Sequence, residues 1–255
     1  AIYLVTHAWT GTEVTIDQSL FIGQRTTSDS EGQGGAIFLM DDDKHEQPDN
    51  PVANRAQISN TTFNDNEVYN RGGVVWFWTN DGRLDVRNVT FADNRTREAD
   101  GMGGALAISN GPATVSQCTF ADNHAQFHGG GIQMSGTAVV TMTNTLFSNN
   151  TSNRDGGWAN FHTNRTVDTD GGGNMQWLDS SLVIDTNSDA LVSESATRAN
   201  PQLEALADNG GATATMALPT GSPAVDAGVN LSDLQTDQRG LSRDSLPDIG
   251  AFELQ

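Results

Sequence analysis

Apolar and polar residues alternate along the chain in a pattern that returns about every 28 residues. Each copy ends on Phe-x-x-Asn, and apolar residues stand five and seven positions before the Phe. The motif occurs at Phe63–Asn66, Phe91–Asn94, Phe120–Asn123 and Phe147–Asn150, with a degenerate copy at Phe21. The residues five positions earlier are Ile16, Ile58, Val86, Val115 and Met142. A period of two with one apolar side predicts a strand with one buried face in each repeat.

Paired glycines open a second predicted strand in each repeat. They stand at Gly34-Gly35, Gly72-Gly73, Gly103-Gly104, Gly129-Gly130 and Gly156-Gly157. Glycine permits the bend that the corner of a coil requires. The residues two and four positions after the second glycine are predicted to face inward: Ile37/Leu39, Val75/Phe77, Leu106/Ile108, Ile132/Met134 and Ala159/Phe161.

Amide side chains form a further column three residues before each Phe. Its members are Gln18, Asn60, Asn88, Gln117 and Asn144. Stacked amides hydrogen-bond to one another along a parallel array, so this column and the asparagines of Phe-x-x-Asn are both predicted to form ladders.

Positions that recur once per repeat must stack on parallel strands about 4.8 Å apart. An antiparallel sandwich would not keep this register, and the spacing of leucine-rich repeats is absent. We therefore predict an all-β chain: a right-handed parallel β-helix of about six coils over residues 1–197, with an insertion near 41–54. Residues 198–255 are predicted to be a C-terminal segment that caps the last coil. The handedness follows from the general rule for parallel crossovers.

Charge narrows the possible partners. The chain has 13 Lys and Arg residues against 32 Asp and Glu residues, a formal net charge of −19. This field disfavours nucleic acid and anionic membrane surfaces as partners, and no apolar run is long enough for a transmembrane segment. The single cysteine, Cys118, excludes an internal disulfide and is predicted to be a packing residue. The start at Ala1, without a basic leader, is expected for a signal-cleaved mature form or a fragment.

Two resemblances add to this interpretation. Gly34-Gly-Ala-Ile37 and Gly103-Gly-Ala-Leu106, alternating with Phe-x-x-Asn, resemble the repeats of polymorphic outer-membrane proteins over about residues 14–178. Those proteins are adhesins with β-helical passenger domains, so the resemblance implies the same fold and adhesion.

The second resemblance lies in residues 198–255. Its motifs are Asn200-Pro201-x-Leu203, Ala207-Asp-Asn-Gly-Gly211, Gly221-Ser-Pro-Ala-Val-Asp-Ala-Gly228, Thr236-Asp-Gln-Arg-Gly240 and Asp248-Ile-Gly-Ala-Phe-Glu253. They are similar to the "choice-of-anchor" segment that ends many bacterial β-helical surface proteins, which implies an extracellular or cell-surface location. The most specific charged residues of this segment are predicted to form internal ion pairs and turn caps: Asp226, Asp237, Arg239, Asp248 and Glu253.

Large aromatic residues occupy outward positions of the glycine-led strands. The candidate ligand-binding residues are Phe38, Trp76, Trp78, Trp158, Asn160 and His162. Exposing indole rings to solvent on a sheet costs free energy unless another segment covers them or a ligand binds to them. They form either a stacking platform for sugar rings or a surface packed beneath the 41–54 insertion or the C-terminal segment.

A weaker candidate site is suggested by Asp168-x-Asp170-Gly-Gly-Gly-Asn174. Alternating oxygen ligands and a glycine bend resemble the opening of a calcium loop, but no Glu closes the loop at its twelfth position. A solvated turn is the alternative interpretation. Candidate catalytic residues form no recognised motif: Asp81, Arg83, Asp85, Arg87, His124, His128 and His162.

We expect a secreted or cell-surface protein that acts in adhesion, or in binding to glycans or the cell envelope, without catalysis. Its expected partner is a polysaccharide, or a cell-surface glycan or protein, with calcium as a possible cofactor. One alternative is a polysaccharide lyase or glycoside hydrolase on the same scaffold. Another is a structural subunit of a surface filament, because the first strand has no obvious cap and leaves an edge for an end-to-end homo-oligomer.

Overall fold

The computed structural model describes residues 2–6, 11–26, 34–41, 54–69, 72–79, 82–153, 161–184 and 187–255, with the backbone alone for 3–6 and 41. Its regular elements are short strands and one 3-10 helix, Ser180–Leu182. The strands are β1 Ile2–Thr6, β2 Glu13–Asp17, β3 Leu20–Ile22, β4 Ile37–Asp41, β5 Arg55–Ser59, β6 Thr62–Asn64, β7 Glu67–Val68, β8 Val75–Trp78, β9 Arg83–Arg87, β10 Thr90–Ala92, β11 Arg95–Thr96, β12 Leu106–Ser109, β13 Pro112–Ser116, β14 Thr119–Ala121, β15 His124–Ala125, β16 Ile132–Ser135, β17 Val139–Thr143, β18 Leu146–Ser148, β19 Thr151–Ser152, β20 Thr169–Asp170, β21 Met175–Trp177 and β22 Thr197–Arg198. In these described ranges no helix is long and apolar enough to cross a bilayer.

The strands stack into four parallel walls, each built from one strand of successive coils. Sheet 1 has the order β1-β4-β8 and continues through β12-β16; sheet 2 has the order β2-β5-β9-β13-β17-β20. Sheet 3 has the order β3-β6-β10-β14-β18-β21-β22, and sheet 4 has the order β7-β11-β15-β19. Backbone hydrogen bonds, such as that from Val75 N to Ala105 O at 3.0 Å, join the two parts of sheet 1.

This arrangement is an all-β parallel β-solenoid, as predicted, but with about four turns rather than about six. In the described part of the chain, the short strand of sheet 4 forms in four coils. The first copy contributes to sheet 4 only a single bridge, from Arg25 to Glu67, and no strand of sheet 4 is described in the last copy, so counting copies overestimated the turns.

The core is a set of columns in which like side chains lie on like. The five phenylalanines from Phe21 to Phe147 stack with ring centroids 4.7–5.0 Å apart and nearly parallel planes. The inward position of Cys118 is confirmed: the thiol is buried and donates to Ser116 O at 3.2 Å. Burial raises the pKa of this thiol to about 12, so Cys118 is an unreactive packing residue.

The asparagines of Phe-x-x-Asn form the predicted ladder inside the solenoid. Asn66, Asn94 and Asn123 each donate from Nδ2 to the Oδ1 of the next asparagine, at 2.9, 2.9 and 2.8 Å, and the last acceptor is Asn150. Their backbone N–H groups donate to the same oxygens. Because all four side chains are buried, the ladder satisfies polar groups at a corner that water does not reach.

The second amide column serves a different purpose from the one predicted. Its residues adopt a left-handed backbone, with φ between 45° and 54°, which asparagine tolerates better than most residues. Asn88 Nδ2 makes one contact within the column, to Asn60 Oδ1 at 3.3 Å, and also donates to Thr236 O at 2.9 Å. Asn144 exchanges two hydrogen bonds with the backbone of Val229, at 2.7 and 2.8 Å. The column therefore mainly holds the C-terminal segment.

The C-terminal segment, predicted to cap the last coil, lies along the side of the solenoid on the outer face of sheet 3. Threonines that precede the core phenylalanines dock it. Gln238 Nε2 donates to Thr62 Oγ1 at 2.7 Å, Thr90 Oγ1 donates to Gln238 Oε1 at 2.7 Å, and Ala251 N donates to Thr119 Oγ1 at 3.0 Å. Further along, Leu146 packs in an apolar cluster with residues of the segment. The segment thus ties several coils together.

Buried ion pairs hold the segment together, as predicted for its charged residues. Arg239 Nε lies 2.7 Å from Asp237 Oδ2, and Arg243 Nη1 lies 3.0 Å from Glu253 Oε2. Asp248 accepts the backbone N–H groups of Asp226 and Leu254. Burial, together with the negative charge of Glu253, raises the pKa of Asp248 from 3.8 to about 6.

Replacing Asn123 by Ala is expected to lower the free energy of unfolding by roughly 3 kcal/mol or more, since it leaves several buried ladder groups without partners. Chemical denaturation would measure the effect. Asn64→Ala is the matched control, because Ala92 and Ala121 already occupy its position in the next two coils. An equal, small loss in both variants would contradict the structural role of the ladder.

The carboxyl of Asp248 is expected to titrate near pH 6, which ¹³C NMR of the labelled side chain would measure. Its folded pKa lies above the ordinary 3.8, so the folded state binds the extra proton. The stability from this group is therefore fully present below about pH 4 and is lost as the pH rises through about 6. A midpoint near 4 would show that the side chain is hydrated and that the segment packs more loosely than described.

Candidate functional site

The outward aromatic residues of sheet 1 form a graded surface and not a flat platform. Phe38 and Trp76 pair across β4 and β8, as do Met40 and Trp78. Phe38 is 1% exposed and Trp76 9% exposed, whereas Trp78 is 37% exposed. The two indoles stack with centroids 5.6 Å apart and planes inclined by 12°. Trp78 therefore offers a ring face to solvent, and Trp76 supports it from behind.

A groove begins where these large side chains give way to small ones. On β12 the outward residues are Ala107 and Ser109, and on β16 they are Gln133 and Ser135, which pair with them. The step down in side-chain volume beside the indoles leaves a groove of about 400 Å³. Its lining residues are Gly72, Trp76, Trp78, Met102, Ala107, Ser109, Asn110, Gln133, Ser135 and Gly136. We refer to this feature as the aromatic groove.

Hydrogen bonds hold the wall of the aromatic groove in place. The indole Nε1 of Trp76 donates to Ser109 Oγ at 3.0 Å, and Ser109 Oγ lies 3.0 Å from Ser135 Oγ. Gly72, with φ of 97°, lies against the flat side of the same indole, where a Cβ atom would come within 2.4 Å of the ring. The orientation of Trp76 therefore depends on a glycine before its strand and a serine on the next coil.

Two of the six predicted ligand-binding residues, Trp76 and Trp78, line this groove, whereas Phe38 is buried against Trp76 and does not line it. Trp158 and Asn160 lie outside the described residues. His162 is fully buried, so its predicted outward position is wrong. The prediction placed Ala159 beside Ile132, whereas the structure pairs Thr163 with Ile132, a shift of four residues.

His162 instead closes the end of the core columns. Its ring lies 5.8 Å from that of Phe147, and Asn150 Nδ2 lies 3.3 Å from Nδ1, where the next asparagine of the ladder would stand. Burial lowers the pKa of His162, against the opposing effect of Asp189. A neutral ring can accept from Asn150, so His162 terminates the ladder.

The residues predicted for calcium hold the turns of the last coil. Asp170 Oδ1 accepts from Gly172 N and Asn174 Nδ2, and Asp170 Oδ2 accepts from Ser195. Asp168 accepts from Val140 N at 2.8 Å and pairs with Arg165 at 3.0 Å. Asn174 Oδ1 accepts from Thr145 N at 3.0 Å. Their oxygens point to donors of the chain itself, and within the described residues no three His, Cys, Asp or Glu side chains are arranged to hold a metal ion.

Three of the candidate catalytic residues, Arg83, Asp85 and Arg87, are used in structural contacts on sheet 2. Asp85 is buried and accepts from Arg83 Nη2 at 2.9 Å, Arg55 Nη2 at 3.2 Å and Thr114 Oγ1 at 2.8 Å. Burial raises its pKa, but these hydrogen bonds and charges outweigh burial and lower it below 3.8. Arg87 pairs with Asp233 of the C-terminal segment at 2.6 Å. Asp81 lies outside the described residues.

The fold and the groove define the class of the protein: a parallel β-solenoid with a lateral aromatic groove on one sheet. No protein-family model matches the chain, and no curated protein matches it.

Asp85→Asn is expected to lower the free energy of unfolding at pH 7 by roughly 1–3 kcal/mol, because two guanidinium groups lose a charged acceptor. Since the folded pKa is below the ordinary value, this contribution is present above pH 3.8 and is lost as the pH falls through the folded pKa. Denaturation at pH 7 and pH 3 would measure both effects. Asp17→Asn, at an exposed site on the same sheet, is the control; a loss that stayed the same at both pH values would contradict the role of the charge.

Proposed function

We propose that the protein is a secreted or cell-surface, non-enzymatic β-solenoid that binds glycans through the aromatic groove. The observation that carries the proposal is the exposed indole of Trp78, stacked on Trp76 beside a row of hydroxyl and amide side chains. A sugar ring has an apolar face of C–H groups and an edge of hydroxyls. It therefore fits a groove with an aromatic wall and a polar floor.

The shape of the scaffold supports the same function. Parallel strands present their outward residues in straight columns, so a polymer can follow one column across several coils. The aromatic groove runs across β8, β12 and β16, three successive coils. An oligosaccharide of a few units would therefore contact residues that are distant in sequence.

The secreted or cell-surface location is proposed from the resemblances of the repeats and of residues 198–255. Neither resemblance depends on the groove, so the proposed location and the proposed glycan binding are separate hypotheses that need separate tests. The filament alternative and end-to-end homo-oligomer formation stay predictions; light scattering at high protein concentration would reveal assemblies larger than a monomer. Calcium is not included in the proposal.

Trp78→Ala is expected to weaken binding of the responsive glycan at least tenfold, about 1.4 kcal/mol, because it removes the exposed stacking face. Calorimetric titration with neutral and acidic oligosaccharides would measure the affinities. Trp177→Ala is the matched control, since that indole lies on sheet 3 away from the groove and its loss should leave binding unchanged.

Two outcomes would contradict the proposal. The first is equal binding by wild type and Trp78→Ala. The second is release of new reducing ends or unsaturated uronates from any polysaccharide, which would support the lyase or hydrolase alternative.

A further inference from the structure

The stacking face and two hydroxyl groups of the aromatic groove lie in one straight column. Thr79 N donates to Ser109 O at 3.2 Å, and Asn110 N donates to Ser135 O at 3.1 Å. Because the same bond joins both pairs of coils, Trp78, Ser109 and Ser135 occupy equivalent positions on β8, β12 and β16. They therefore follow one another at the coil spacing of about 4.8 Å. A ligand that follows this column meets the indole first and then the two hydroxyls.

Hydrogen bonds within the groove decide what these groups can offer a ligand. The indole Nε1 of Trp76 is a donor only, and it donates to Ser109 Oγ at 3.0 Å. Ser109 Oγ and Ser135 Oγ lie 3.0 Å apart, so one of their two hydroxyl hydrogens is used between them. Among the described residues the other hydrogen has no acceptor within the chain. Both serines are half-buried and line the groove, so the pair can donate one hydrogen bond to an oxygen of the ligand.

The straight column restricts the shape of a glycan that can use it. Hexoses joined through equatorial bonds at both ends form a flat, extended ribbon, whose advance per sugar is close to the spacing of the coils. Such a ribbon can place one sugar on each coil, at the indole of Trp78, at Ser109 and at Ser135. A chain with an axial bond, such as an α-1,4-glucan, curls into a helix and turns away from the column. The regular coil spacing therefore favours the extended class.

We infer that the ligand is an extended hexose polymer with equatorial linkages, bound with one sugar on each of three coils, and that Ser135 is a specificity-determining residue. This inference rests on the glycan binding proposed for the same groove. Trp78 supplies the stacking face, and the hydroxyl pair donates to a hydroxyl or ring oxygen of a sugar further along the chain. A glycan whose next sugars turn away from the sheet loses this hydrogen bond, which discriminates against it.

Calorimetric titration of the whole chain with cellohexaose, chitohexaose, mannohexaose and maltohexaose tests the shape of the ligand. The first three have equatorial linkages, and maltohexaose matches cellohexaose in sugar and length but has an axial bond in each linkage. We expect at least one of the three extended hexasaccharides to bind roughly tenfold more tightly than maltohexaose. With the di- and trisaccharide of the tightest binder, the affinity is expected to rise from two sugars to three, because the third sugar reaches β16.

The variant Ser135→Ala tests the hydroxyl pair and leaves the wall of the groove in place. Ser109 keeps its hydrogen bond from the indole of Trp76. We expect Ser135→Ala to weaken binding of the extended hexasaccharide roughly 3- to 10-fold and to melt near the wild-type temperature. Thr141→Ala is the matched control, because it removes a half-buried hydroxyl from the outer face of sheet 2 and is expected to leave the affinity unchanged.

The outcomes that overturn the inference differ from those that overturn the proposed function. Binding of maltohexaose that equals or exceeds that of every extended hexasaccharide overturns the extended class and leaves glycan binding intact. Equal affinities for the disaccharide and the trisaccharide overturn the placement of one sugar on each coil. An unchanged affinity in Ser135→Ala, beside a loss in Trp78→Ala, overturns the role of Ser135. No wild-type binding to any of the four hexasaccharides overturns both this inference and the proposed function.

Discussion

The common register of the parallel strands is the constraint on which the rest of the structure depends. Each residue lies directly above its equivalent in the preceding coil, so a side chain that suits one coil must also suit its own copy about 4.8 Å away. Phenylalanine satisfies this by face-to-face stacking, with centroids 4.7–5.0 Å apart. Asparagine satisfies it by donating to the next amide, at 2.8–2.9 Å. Aspartate fits less well: in the column that holds Asp65, Asp93 and Asp122, burial and the neighbouring carboxylate raise the pKa of Asp93 and of Asp122.

The same register builds the aromatic groove on the outside of the solenoid. The residues of an outward column can differ from coil to coil. Their side chains face solvent, so they do not have to pack against an identical residue in the next coil. The column that begins with Phe38 and Trp76 continues as Ala107 and Gln133. This change in volume along one column creates the groove, and the regular backbone beneath it holds the indoles and the glutamine in fixed relation. The site is therefore a local departure from a repeat whose inner face remains strict.

Much of the fold could be predicted from the sequence, because the repeat spacing alone implies stacking. The inward positions of Ile58, Val86 and Phe91 follow from alternation, and the buried Asn ladder follows from recurrence. The position of residues 198–255 along sheet 3 was not predicted, because the sequence analysis placed this segment over the last coil. The sequence did contain a sign of this contact, because a threonine recurs at the outward position before the phenylalanine, at Thr62 and Thr90. A solvent-exposed strand position does not require the same residue in successive coils.

The site was predicted in part, and the reason lies in register. Trp76 and Trp78 lie on one strand, β8, whose glycine pair aligns with that of the preceding coil, so their outward placement was predicted correctly. His162 lies after a coil of different length, where counting from glycines shifts the register by four residues. Ser109 and Gln133 were missed because they are small or polar, and their importance comes from the indoles beside them. The columns were present in the sequence, but the groove appears only when they are followed across coils.

The most direct test of this account is the position of a bound hexasaccharide on the protein. Intermolecular nuclear Overhauser effects in the complex with isotope-labelled protein would locate it. The account predicts contacts between sugar C–H protons and the indole protons of Trp78, together with contacts to the side chains of Ser109 and Ser135. Contacts confined to the acidic column at Asp93 and Asp122, or to the outer face of the C-terminal segment, would contradict it.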